Sequence, residues 1–257
     1  MVSLRERLNL RLEELRGTWH GHLANRRVRK EPTDPRAVYP GYRSFDEDID
    51  VERLKGLDEF LKDRIAAHLR RGDCAKFSTG NAKGSMFARR RPGSRIIHLT
   101  RKTTTDYFDL DKPEVWHRTP AADDFAPLME FVDTLPFKGV ARVIIMCDDR
   151  GRRVTEHRDH TWPDLLHEFV WFRSNLDKRF YLRDNAGRHR EYVESYSAWF
   201  DTVNQLHGAE PSGDFTFSMR VDGVFSDALR ARIPRPSCNR ACTPTLWASV
   251  GDAVSGM

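Results

Sequence analysis

Beyond residue 94 the chain becomes a succession of short β-like runs separated by tight turn signals, and this texture constrains the fold most. The runs are Arg95 to Leu99, Thr105 to Leu110, Gly139 to Cys147, Arg152 to His157, Glu168 to Arg173, Phe180 to Arg183, Glu191 to Tyr196 and Phe215 to Val221. Most are rich in branched or aromatic residues, which suit a pleated, half-buried surface. Asp148-Asp149-Arg150-Gly151 and Asp184-Asn185-Ala186-Gly187 read as turns between them. Many short strands at close spacing point to a mainly β sandwich or barrel rather than to alternating βα units.

Helices are expected around this β region. Leucines at 4, 8, 12 and 15 among Arg and Glu give a narrow apolar stripe on a charged rod. A second helix is expected from about Asp50 to Leu69, where Val51, Leu54, Leu57, Phe60, Leu61 and Ile65 share a face ahead of Gly72. These helices could flank the core or form a homodimer contact. A third helix is expected from about Asp123 to Val132, and a fourth after Ser226, whose hydroxyl can cap Asp227-Ala228-Leu229-Arg230. The expected organisation is a helical extension and Gly-, Ser- and basic-rich loop over 1–94, a catalytic β domain over 95–233 and a tail over 234–257.

Composition narrows the setting. No apolar run suits a signal peptide or a membrane span, so a soluble cytoplasmic protein is expected. The four cysteines, Cys74, Cys147, Cys238 and Cys242, read as free thiols. A net charge of +5 favours anionic ligands without naming one. The basic clusters Arg26-Arg27-Val28-Arg29-Lys30 and Arg89-Arg90-Arg91 read as solvated surface, which weighs against nucleic acid as a partner.

The chemistry gathers around His157-Arg158-Asp159, His207 and Arg220. On a strand, residues two apart point to one side, so His157 and Asp159 can reach a common metal while Arg158 faces away. A second histidine from another strand, His207, completes two imidazoles and a carboxylate on one face of an octahedral metal with three positions open. His-x-Asp/Glu alone is weak, because roughly 1.5 such triplets are expected by chance. The other one, His189-Arg190-Glu191, ends sixteen residues before His207 and reads as a surface pair on a polar hairpin. What favours His157 is the strand Gly139 to Cys147 leading into it. Alternation then sets Thr216, Ser218, Arg220 and Asp222 on one face. A buried arginine there needs an anion, either Asp222 in a structural ion pair or a ligand carboxylate.

From about Pro136 to Arg230 the chain resembles the aspartyl/asparaginyl β-hydroxylase-like group of Fe(II)/2-oxoglutarate oxygenases, which includes small bacterial proline hydroxylases. The resemblance lies in the strand and turn before His157-Arg158-Asp159, the aromatic-acid segment before His207, and Ser218-Met219-Arg220-Val221-Asp222-Gly223. It implies a double-stranded β-helix, the cupin-like jelly roll, flanked by helices. It also implies His157, Asp159 and His207 as Fe(II) ligands and Arg220 as anchor for 2-oxoglutarate, with Ser218 as a further donor. The implied reaction consumes O2 and 2-oxoglutarate and hydroxylates an unactivated C–H bond of a small amino-acid-like substrate, free or within a peptide or natural product. His167 and Arg173 share a face of the next strand and could meet the substrate. Presence of Asp159 disfavours halogenation, and the spacing from His207 to Arg220 is a little longer than the group's common pattern. The rival readings are a non-catalytic β-barrel binder with structural histidines, and an oxygenase or binder acting on nucleic acid.

Overall fold

A computed structural model describes residues 42–71, 75–76, 94–102, 109–148, 150–151, 153–157, 168–183, 189–202 and 205–233. Thirteen strands run through them in chain order: β1 (Arg43–Ser44), β2 (Ala75–Lys76), β3 (Ser94–His98), β4 (Thr100–Lys102), β5 (Trp116–Arg118), β6 (Phe137–Asp148), β7 (Val154–His157), β8 (Phe169–Phe172), β9 (Phe180–Arg183), β10 (Arg190–Tyr192), β11 (Ser197–Trp199), β12 (Leu206–Ala209) and β13 (Thr216–Phe225). The helices are α1 (Val51–Gly56), α2 (Asp58–Arg71), α3 (Pro120–Asp124), α4 (Ala126–Val132) and α5 (Asp227–Arg232).

The strands form a seven-stranded sheet in the order β1-β11-β8-β13-β6-β3-β2, a four-stranded sheet in the order β10-β9-β12-β7, and the pair β4-β5. Following the chain from β6 to β13, it passes back and forth between the two larger sheets, with β9-β10 its only consecutive step within one sheet. All pairings are antiparallel. This is the jelly-roll order of the double-stranded β-helix.

The two faces of the large sheet have opposite chemistry, and alternation along β13 is the reason. Met219 pairs with Phe172 and Ile145, and Val221 with Val170 and Val143, so these side chains share the outer face. There they join the apolar core with Leu54, Leu61 and Ile65 of the helices, and Phe131 of α4 meets Phe172 at 5.6 Å. Phe169 and Trp171 point to the other side. Trp171 stacks on Phe180 of the small sheet at 4.8 Å, while Phe169 meets Phe200 edge-on at 5.4 Å. Ser218, Arg220 and Asp222 share this inward face and are buried there.

Several local expectations meet their physical test. The apolar face expected over Asp50 to Leu69 packs on the core of its own chain, and the helix is broken at Leu57 into α1 and α2. Asp50 caps α1 by accepting from the Arg53 amide, and Ser226 caps α5 by accepting from the Leu229 amide. Gly151, at φ +69°, closes the β6-β7 turn in the left-handed region that favours glycine. Residues 109–111 form a 3-10 turn where the end of a strand was expected. Within the loop expected between Gly72 and Ser94, Ala75–Lys76 form β2 and Ser94 starts β3, because they pair into the large sheet; the rest of that loop, the stripe at Leu4 to Leu15, the basic clusters and the tail from 234 lie outside the described residues. Cys147 is buried, and the other three cysteines lie outside the described residues. Among the described residues no helix is long and apolar enough to cross a membrane.

Candidate metal and co-substrate site

The register of the small sheet sets His207 of β12 directly opposite His157 at the end of β7. His157 is described through this backbone pairing alone, which sets it and His207 at one register position across the β7-β12 ladder. β12 is the inner strand of this pair, held on its other side by β9 through the pairing of His207 with Leu182. Gly208 makes the close approach possible: a Cβ there would lie 2.8 Å from the Val154 carbonyl and 3.0 Å from the Tyr181 hydroxyl.

The His207 side chain is buried, within 5.9 Å of the Phe180 ring and 5.5 Å of Phe200. Its Nδ1 lies 3.0 Å from the Gln205 carbonyl oxygen. A carbonyl can only accept, so this bond places the ring proton on Nδ1 and leaves Nε2 as the ring's basic nitrogen. A backbone carbonyl orienting one nitrogen while the other serves as ligand is the usual support of a metal-binding histidine. Among the described residues no three His, Cys, Asp or Glu side chains converge to hold an ion. Asp159 and His167 lie outside the described residues. The imidazole chemistry at His207 fits an iron ligand.

The aromatic layer connects His207 to β13. Phe200 touches Phe169, and the Arg220 guanidinium lies over the Phe169 ring, 4.0 Å from its centroid. Arg220 meets the Asp222 carboxylate: Nε donates to Oδ1 at 2.9 Å and Nη2 lies 2.8 Å from the same oxygen. Arg142 of β6 donates from Nε to Oδ2 at 2.9 Å. Burial by itself would raise the Asp222 carboxyl, but the two guanidinium groups outweigh it and hold the group below its ordinary value. Ser218 accepts from Lys178 Nζ at 3.1 Å, and Lys178 is ion-paired with Asp148 at 2.7 Å, all three residues being buried.

Arg173 is brought into the same barrel but turned to backbone. Its Nε donates to the Ser195 carbonyl at 3.2 Å, Nη1 to that of Lys178 at 2.5 Å, and Nη2 to that of Val193. Burial lowers its pKa to about 10, so it stays charged while tying the end of β8 to the segments beside β9 and β11. His189-Arg190-Glu191, by contrast, is exposed around the edge strand β10. Sequence reasoning missed Arg142, Asp148 and Lys178. Alternation along β6 from Ile144 and Met146 would have placed Arg142 and Asp148 on the inward face, but nothing local marks Lys178.

No family model and no curated protein matches the chain. Among solved structures it is similar to a prolyl-4-hydroxylase from Pseudomonas putida, at 12% identity over 73% of this chain and 94% of that one, with a TM-score of 0.41. It is similar also to a Trichoplax adhaerens prolyl hydroxylase in complex with a hypoxia inducible factor oxygen degradation domain peptide fragment, at 12% identity over 84% and 94% of the two chains and a TM-score of 0.46. A 2OG-Fe(II) oxygenase family oxidoreductase from Burkholderia pseudomallei matches 50% of this chain and 65% of its own, at 13% identity and a TM-score of 0.32. The jelly-roll assignment stands on this chain's own strand order.

Proposed function

We propose that the chain is an Fe(II)/2-oxoglutarate-dependent dioxygenase that hydroxylates an unactivated C–H bond of an amino-acid-like substrate. The observation that carries this reading is the pairing of His157 with His207 inside a jelly roll, with His207 oriented through Nδ1 by a backbone carbonyl. In this reading His157, Asp159 and His207 hold the iron. Once bound, Fe(II) supplies the oxidising chemistry that converts O2, 2-oxoglutarate and substrate to succinate, carbon dioxide and hydroxylated product. The protein's own part is to orient the reactants and exclude water, and the Phe169, Trp171, Phe180 and Phe200 layer is suited to both.

Arg220 is the proposed anchor for the distal carboxylate of 2-oxoglutarate. Asp222 receives its Nε and Nη2, which fixes the guanidinium on the inward face that it shares with Ser218. Lys178, ion-paired with Asp148, donates to Ser218 and fixes that hydroxyl on the inward face. The test is succinate release and O2 consumption across an amino-acid panel, with and without Fe(II). Asp159→Ala is expected to abolish turnover, and Arg220→Ala to raise the 2-oxoglutarate concentration required by at least about tenfold. Wild-type 2-oxoglutarate dependence in Arg220→Ala would remove Arg220 from the role.

A further inference from the structure

On the inward face of the large sheet two guanidinium groups meet one carboxylate at Asp222. Asp222 is a single fully buried acid that meets two arginines, and Arg220 already engages it through two nitrogens. Arg142 meets it through Nε alone; its side chain is 29% exposed, and among the described residues its terminal amino groups make no further hydrogen bond. Anchoring a guanidinium by Nε fixes its plane and presents the Nη pair, the fork that suits a two-oxygen anion.

His98 of β3 pairs in register with Ile144 and therefore shares the inward face with Arg142. Burial, then the charges of Arg142 and Arg101, depress its pKa to about 4, so at neutral pH it is an uncharged hydrogen-bonding group. Among the described residues the charges acting on His98 are those of Arg142 and Arg101. An aromatic layer links the position to His207: Asp222 pairs with Phe169, which touches Phe200, which touches His207.

We infer that Arg142, with His98 beside it, receives a carboxylate of the substrate at the metal-bearing end of the barrel. This rests on the oxygenase reading, and it makes the substrate a carboxylic acid whose acid group remains unmodified in the reaction. One half-exposed fork beside a neutral imidazole matches a monoanion with two coplanar oxygens; a phosphate dianion would call for further donors.

Calorimetric titration of the anaerobic protein with Fe(II), 2-oxoglutarate and a panel of L-amino acids, each beside its primary amide, tests the inference. At least one acid is expected to bind tenfold or more tightly than its amide. Arg142→Gln is expected to narrow that ratio to twofold or less. Arg142→Lys keeps the charge against Asp222 but lacks the fork, and is expected to weaken acid binding at least threefold while remaining folded. Binding by no acid, equal binding of acid and amide, or an undiminished ratio in Arg142→Lys would overturn the assignment. So would stronger competition by inorganic phosphate than by acetate. Absence of the Fe(II)/2-oxoglutarate absorption band in the wild type would instead count against the oxygenase reading, while the acid-to-amide ratio would still decide the carboxylate site.

Discussion

Replacing Asp222 by Asn probes the barrel's charge balance. The side chain is fully buried and its two oxygens receive Arg220 at 2.9 and 2.8 Å and Arg142 at 2.9 Å. Asparagine keeps the size but removes the charge. Arg142 can turn its partly exposed end to water, so its loss is small. Arg220 cannot: it is buried against Phe169, and stranding it costs about 3–5 kcal/mol, a large part of a stability of about 5–15 kcal/mol. With a urea slope of about 3 kcal/mol per M, the unfolding midpoint should fall by about 1–1.7 M at constant slope. The double variant Arg220→Met/Asp222→Asn leaves no buried charge at this position and should recover most of the loss. A single-variant cost under about 1 kcal/mol, or a double variant no more stable than the single, would refute the role of Asp222 as the buried counter-ion.

Three further expectations follow from other groups. His98 is held near pKa 4 in the fold against 6.5 ordinarily, so its contribution is complete above pH 6.5 and lost as pH falls toward 4; this amounts to about 3 kcal/mol, and His98→Gln should flatten that part of a pH–stability curve. An unchanged slope in the variant would contradict the burial argument. Gly208→Ala drives a Cβ against the Val154 carbonyl and should displace β12 from β7, weakening Fe(II) binding about tenfold in anaerobic titration of folded protein. Arg173→Met leaves three buried carbonyls without their shared donor and should cost about 3 kcal/mol or more in urea unfolding.

The fold was legible where the pattern was local. The β6, β7, β8, β9 and β13 runs announce themselves by branched and aromatic residues, and Gly151 and Ser226 mark their turn and cap. β11, β4 and β5 did not, because three-residue strands exist only through their partners. At the candidate site, the same alternation that puts Arg220 and Asp222 on one face was readable from Phe215 to Val221. Their mutual ion pair was named as one of two options, and geometry shows it formed. The positions of Lys178 beside Ser218 and of Arg142 beside Asp222 depend on contacts across 40 and 80 residues, which no local spacing encodes. Arg173 shows the converse: its place on the inward face was readable, but its capture by three carbonyls depends on the chain closing around it.

The central claim is that the His157–His207 pair builds an Fe(II) site that accepts 2-oxoglutarate. Its most direct measurement is anaerobic addition of Fe(II) and 2-oxoglutarate to the folded protein, followed by visible absorption. The account predicts a weak charge-transfer band that saturates near one Fe(II) per chain and is lost in His207→Ala. Folded wild-type protein without the band, or a His207→Ala variant that retains it, would contradict the account.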